Sequence, residues 1–77
     1  MYMKSSFYIK LDINDISDFL NVTSEIPNDI NICQGQTVAS AKSLMGIYAL
    51  DLSQPIRLII RDDSENTLVN KFDRWLV

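Results

Sequence analysis

Residues 40–52, Ser40-Ala41-Lys42-Ser43-Leu44-Met45-Gly46-Ile47-Tyr48-Ala49-Leu50-Asp51-Leu52, hold a helix start, a short apolar helix and its stop in one stretch. Ser43 stands at the N-cap, where a hydroxyl accepts a hydrogen bond from a free backbone N–H of the first turn. Leu44, Ile47 and Tyr48 follow at one-turn spacing on one side. Ahead of this helix, Ile30 and Ile32 alternate with Asn31 and Cys33 as a strand. Gln34-Gly35-Gln36 is a turn in which Gly35 takes a positive φ, and Thr37 to Ala39 complete a hairpin. After it, Asp51 to Pro55 connect to Ile56, Leu58 and Ile60, which alternate with Arg57, Ile59 and Arg61 as the strongest strand pattern in the chain. The stretch is thus a helix between a hairpin and a strand, and it fixes how the flanks are read.

Toward the N-terminus, Phe7, Ile9 and Leu11 alternate with Tyr8 and Lys10, predicting a first strand over residues 5–11. Asp12 and Asn14 are cap residues, and Ile16, Phe19, Leu20 and Thr23 recur at helical spacing, so a first helix spans 14–25 until Pro27 and Asn28 stop it. Toward the C-terminus, Asp62-Asp63-Ser64 is rich in cap residues. Leu68, Phe72, Trp75 and Leu76 then form the inward stripe of a final helix. The predicted class is α+β, in the order βαββαβα: a four-stranded antiparallel sheet covered on one face by three helices, as a single domain over residues 1–77. The other face would present Tyr8, Lys10, Asn31, Cys33, Arg57, Ile59 and Arg61, as an ordinary solvated sheet face or as an interaction surface.

Composition narrows the function. The chain has 77 residues, 47% of them hydrophobic, with two glycines and two prolines, which describes one small ordered domain with no room for a deep enclosed site. Its net charge of −3, with basic residues spread out, leaves no footprint for nucleic acid or an anionic membrane. No signal-like or membrane-spanning run occurs, and the single Cys33 reads as structural, so the expected location is the cytoplasm. There is no histidine, which removes the commonest general base and metal ligand. No metal cluster, Gly-rich phosphate loop or nucleophile–base pair can be assembled, so neither an enzyme, a metal nor a cofactor is expected.

The run from Gly35 to Leu52, with Lys42-Ser43-Leu44-Met45-Gly46 as its specific part, resembles the regulatory-serine region of HPr, the phosphocarrier family of the phosphoenolpyruvate-dependent sugar phosphotransferase system. The resemblance implies that family's open-faced βαββαβα sandwich, of similar length. It also implies protein partners of the phosphotransferase or catabolite-control type and, in Gram-positive members, phosphorylation of the serine matching Ser43. Two departures stand out. The family carries its phosphoryl group on a histidine at the start of the first helix, followed by an arginine and a proline. Here Leu11-Asp12-Ile13-Asn14-Asp15-Ile16-Ser17-Asp18 has none of the three, and Asp12 falls near the histidine's place. One extra residue also lies between Gly35 and Ser43, which the hairpin is expected to absorb as a longer turn or a bulge.

The chain therefore reads as an HPr-like protein without the carrier histidine, a regulatory or protein-binding module acting through the Ser43–Tyr48 helix. Its contact residues would be Lys42, Ser43, Leu44, Met45, Ile47 and Tyr48. Phosphate on Ser43 is an optional control, worth about 1 kcal/mol at the helix N-terminus, with Lys42 adding charge; the same serine also reads as a plain cap. Leu44, Ile47 and Leu50 also read as core, more readily than Met45 and Tyr48. Two alternatives stay open. One is a phosphoryl carrier using Asp12, although no cation stands beside it and a helix cap explains it as well. The other is a structural or oligomerising domain, and the oligomeric state is left open.

Overall fold

Period-2 patterning produces four strands: β1 (Lys4–Ile9), β2 (Ile30–Gln34), β3 (Thr37–Ser40) and β4 (Ile56–Arg61). The computed structural model describes residues 4–63 and 67–77. The strands form one antiparallel sheet in the order β1-β4-β2-β3, so the two isoleucine-rich strands are central. A 3-10 turn (Ile13–Asp15) leads into α1 (Ile16–Glu25), α2 (Leu44–Tyr48) follows the hairpin, and a 3-10 helix (Val69–Trp75) closes the chain. These three helical segments lie on one face, which is the α+β open-faced sandwich expected.

Register decides which side chains are covered. Phe7, Leu58, Ile32 and Ala39 form one row across the sheet, and Ser5, Ile60 and Ile30 form another, both turned toward the helices. Ile16, Phe19 and Thr23 of α1, Ile47 of α2, and Phe72 and Trp75 meet them in one core. Burying each large apolar side chain contributes about 1.5–3 kcal/mol. Phe19 and Trp75 meet near-perpendicular, at 77° with 5.4 Å between centroids, a favoured aromatic geometry. On the other face the rows are Tyr8–Arg57–Cys33–Val38 and Ser6–Ile59–Asn31–Ser40, with Arg57 Nε donating to Ser6 Oγ at 2.7 Å. Cys33, without a basic neighbour in sequence, therefore has Arg57 as its cross-strand neighbour.

Three expectations need correction. The hairpin contains neither a long turn nor a bulge. Gln34 pairs with Thr37 around the two-residue turn Gly35-Gln36, with Gly35 at φ 59° as the first position of a II′ turn requires, and the register runs unbroken to Asn31↔Ser40. The C-terminal segment is a 3-10 helix, whose three-residue turn stacks Phe72 and Trp75 on one line and leaves Leu76 beyond it. Leu76 is extended and exposed, bridging to Ile9 at the sheet edge instead of packing in the core. Leu44 is also outside the core, because a five-residue helix buries one narrow stripe and Ile47 occupies it.

Of the expected cap cluster, Ser64 lies outside the described residues, whereas Asp63 is a buried clasp. Its carboxylate accepts from Ser5 Oγ (2.8 Å), Thr67 N–H (3.1 Å), Thr67 Oγ1 (3.0 Å) and Leu68 N–H (3.3 Å), tying the start of β1 to the C-terminal segment. Burial pushes this carboxyl up, but the bonds from Ser5, Leu68 and Thr67 outweigh that and hold it below its ordinary value.

Candidate functional site

Helix α2 is positioned by its N-cap and by the residues on its inner side. Ser43, extended at φ −110° and ψ 120°, accepts the Gly46 N–H on Oγ at 3.1 Å, the N-cap its sequence predicts. Gly46 lies against β3: a Cβ there would stand 2.9 Å from Ala39 Cβ and 3.1 Å from the Ser40 carbonyl. Glycine is thus the residue that lets the helix backbone approach the strand so closely. Ile47 and Leu50 are buried beneath.

What α2 turns outward is apolar. Met45 is 81% exposed, Tyr48 55% and Leu44 47%. Of the expected contact residues, Ile47 is fully buried and supports the surface from below instead of forming it. Lys42 does not direct its charge at Ser43. Its Nζ donates to the Ile26 carbonyl at 2.6 Å, where the end of α1 leaves acceptors unpaired and favours a cation.

The loop after α2 carries a second clasp that the sequence did not reveal. Gln34 Nε2 donates to the Asp51 carbonyl at 2.8 Å and its Oε1 accepts the Asp51 N–H at 2.7 Å. The Asp51 carboxylate accepts from Ser53 Oγ (2.6 Å) and Ser53 N–H (3.0 Å), and these bonds hold its pKa below the ordinary value. So held, Leu52 and Ser53 form one wall of an open depression of about 620 Å³, and Lys10, Asp12 and Ile13 form the other.

Asp12 is engaged as a cap. Its Oδ2 accepts the Asn14 N–H at 3.2 Å while the Asp15 carboxylate accepts the Asp12 N–H at 2.9 Å, a reciprocal capping box. The sequence placed no cation beside it, yet Lys10 lines the same depression. Ile13, 63% exposed, adds an apolar residue that the sequence reading did not single out. Among the described residues no group of three or more His, Cys, Asp or Glu side chains is placed to hold a metal ion, and no helix is long and apolar enough to cross a membrane.

Sheet order, helix placement and the presented helix α2 define an open-faced sandwich of the HPr type. A crystal structure of a phosphocarrier protein HPr from Bacillus anthracis str. Ames is similar to it, with a TM-score of 0.69 over 96% of this chain and 96% of that one. Sequence identity is 19%, so the likeness shows the fold. No protein-family model and no curated protein sequence matches the chain.

Proposed function

We propose that this chain is an HPr-like regulatory protein of the sugar phosphotransferase type that binds a protein partner through α2 and does not carry a phosphoryl group on histidine. One observation carries the reading: a five-residue helix fixed in place on its inner side displays Leu44, Met45 and Tyr48 to solvent. Exposed large apolar side chains on a rigid mount suit docking, and methionine adapts to the surface it meets. Partners of the phosphotransferase or catabolite-control class are the ones the fold favours, and a cytoplasmic location fits them.

Phosphorylation of Ser43 is the control that suits this site. The Ser43 oxygen already faces the Gly46 N–H, so a phosphate there keeps a donor, whereas Lys42 is committed to Ile26. Incubation with ATP and the cognate serine kinase is expected to add one phosphate that is lost in Ser43→Ala. No incorporation removes the control and leaves constitutive docking.

The second reading, phosphoryl transfer on Asp12, has Lys10 in its favour and the capping role of the carboxylate against it. Phosphoenolpyruvate with the system's first enzyme decides between them. The expected outcome is an unlabelled chain, and a hydroxylamine-sensitive acyl phosphate lost in Asp12→Asn sinks the docking-only reading.

A further inference from the structure

The sheet has two outer edges, and they are closed unequally. Along β1, Val77 N–H donates to the Tyr8 carbonyl at 3.2 Å, Lys10 N–H donates to the Trp75 carbonyl at 2.9 Å, and Ile9 bridges to Leu76. The C-terminal segment thus covers the Tyr8–Lys10 end of that edge, and Lys4 stands at its other end. Along β3 the register fixes which groups turn outward. Ala41 N–H donates to the Ile30 carbonyl at 3.0 Å, and hydrogen-bonded pairs alternate in an antiparallel ladder, so Thr37 and Ala39 bond to β2. Val38 and Ser40 point their backbone groups away. The Ser40 carbonyl accepts the Ser43 N–H at 3.2 Å, but the Val38 N–H, the Val38 carbonyl and the Ser40 N–H have no partner among the described residues.

Sheet edges are ordinarily protected by lysine, proline, a bulge or a covering segment. Apart from being four residues long, β3 has none of these. The hairpin from Ile30 to Ala41 contains no charged residue and no proline, and it is the longest charge-free run in the chain. Val38, 66% exposed, is β-branched and sits on the uncovered face.

We propose that β3 pairs antiparallel with β3 of a second copy of this chain about a two-fold axis at Val38. Two copies of net charge −3 repel least where neither is charged, and a two-fold axis brings this same uncharged edge to itself. In that register the two Val38 residues exchange both backbone hydrogen bonds, and each Ser40 N–H reaches the other copy's Gln36 carbonyl. The two valine side chains meet on the uncovered face, a favourable cross-strand pair. The result is one continuous sheet through both copies. Few residues take part, so the association is weak and falls below the standard interface size. The α2 surface is not used, so this pairing is independent of the docking proposed above.

Sedimentation of the whole chain from about 10 μM to about 1 mM, paired with amide hydrogen exchange by NMR, tests the assignment. Dimer is expected to grow with concentration, and exchange at Val38 to slow about fivefold once the total chain concentration is about ten times the dissociation constant, where about one chain in five is still monomeric. The Ser6 amide, on the other edge, should not change. Val38→Lys sets two ammonium groups against each other at the axis and should stay monomeric with an unchanged circular dichroism spectrum. A chain that stays monomeric with a fast Val38 amide overturns the proposal and leaves the edge to an extended segment of another protein. A dimer that persists in Val38→Lys, or that protects Ser6 instead, overturns it as well. Should the lysine variant unfold, the concentration dependence at Val38 in the unmodified chain decides alone.

Discussion

Gly46→Ala isolates the contact on which the exposed helix depends. Two effects of opposite sign compete. Alanine in a helix is favoured over glycine by about 0.5–1 kcal/mol, so on an open helix surface the change would stabilise. Here the new Cβ would lie 2.9 Å from Ala39 Cβ and 3.1 Å from the Ser40 carbonyl, against about 3.5–4.0 Å for carbon atoms in comfortable contact. Neither neighbour is the end of a flexible side chain: one is a Cβ and the other belongs to a strand backbone. Relief therefore requires α2 and β3 to separate by about 0.5–1 Å, and such overpacking costs about 1–3 kcal/mol. The net expectation is a loss of about 1 kcal/mol, which for a domain of this size lowers Tm by about 4–8 °C. Thermal and urea unfolding followed by circular dichroism measure it, with a lower midpoint and an unchanged m-value. A paired Ala39→Gly change removes one clashing atom, so the double variant should lose less than the sum of the single losses. A Gly46→Ala protein more stable than the parent refutes the close approach of helix and strand.

Three further outcomes follow from the same geometry. Asp63→Asn should cost about 1–3 kcal/mol at pH 7, because a carboxylate accepting four bonds is replaced by a group that must turn its NH2 either toward Thr67 or toward Ser5 and Leu68, facing a backbone N–H donor in each case. Since the folded pKa of Asp63 lies below the unfolded value of about 3.9, its stabilisation is present above that value and is lost as pH falls through the folded pKa. Urea midpoints of parent and variant should therefore converge in acid, and a constant difference from pH 7 to pH 2 counts against the clasp. Ser43→Ala should lower stability by about 1 kcal/mol through loss of the cap, measured by urea unfolding, and no loss would leave the Gly46 N–H satisfied in some other way. Met45→Glu should leave the unfolding midpoint within about 0.5 kcal/mol of the parent, since the side chain is 81% exposed, while weakening partner capture about tenfold in calorimetric titration. Unchanged affinity moves the docking surface off α2.

The features legible in the sequence are those written in local periodicity. Strand alternation placed all four strands, and Ser43 followed by Leu44, Ile47 and Tyr48 marked α2 with its cap. What escaped depends on partners distant in sequence. Lys42 reads as a neighbour of Ser43, and only the packing of α1 beside α2 brings the Ile26 carbonyl to its ammonium. Gln34 and Asp51 are 17 residues apart, and Ser5 and Asp63 are 58 apart; no local pattern links either pair. The C-terminal stripe follows an α-helical period in the sequence, and the tighter 3-10 turn places Leu76 outside it. For the candidate site, the residue types were readable. Their exposure, which separates Met45 and Tyr48 from Ile47, required the fold.

Helix α2 is tied at both ends to other elements, Lys42 just ahead of its cap reaching the Ile26 carbonyl and Gln34 of β2 gripping Asp51 behind it. An isolated five-residue helix has no stability of its own in water, so its order is borrowed from these attachments. These attachments oppose fraying from either end, so opening of the segment is expected to involve the hairpin that carries Gln34. Its inner amides, Ile47 and Ala49, should therefore exchange at the same free energy as β2, as members of one cooperative unit. A partner arriving at Met45 and Tyr48 meets a backbone already ordered by folding, and the entropy lost on binding is confined to side chains.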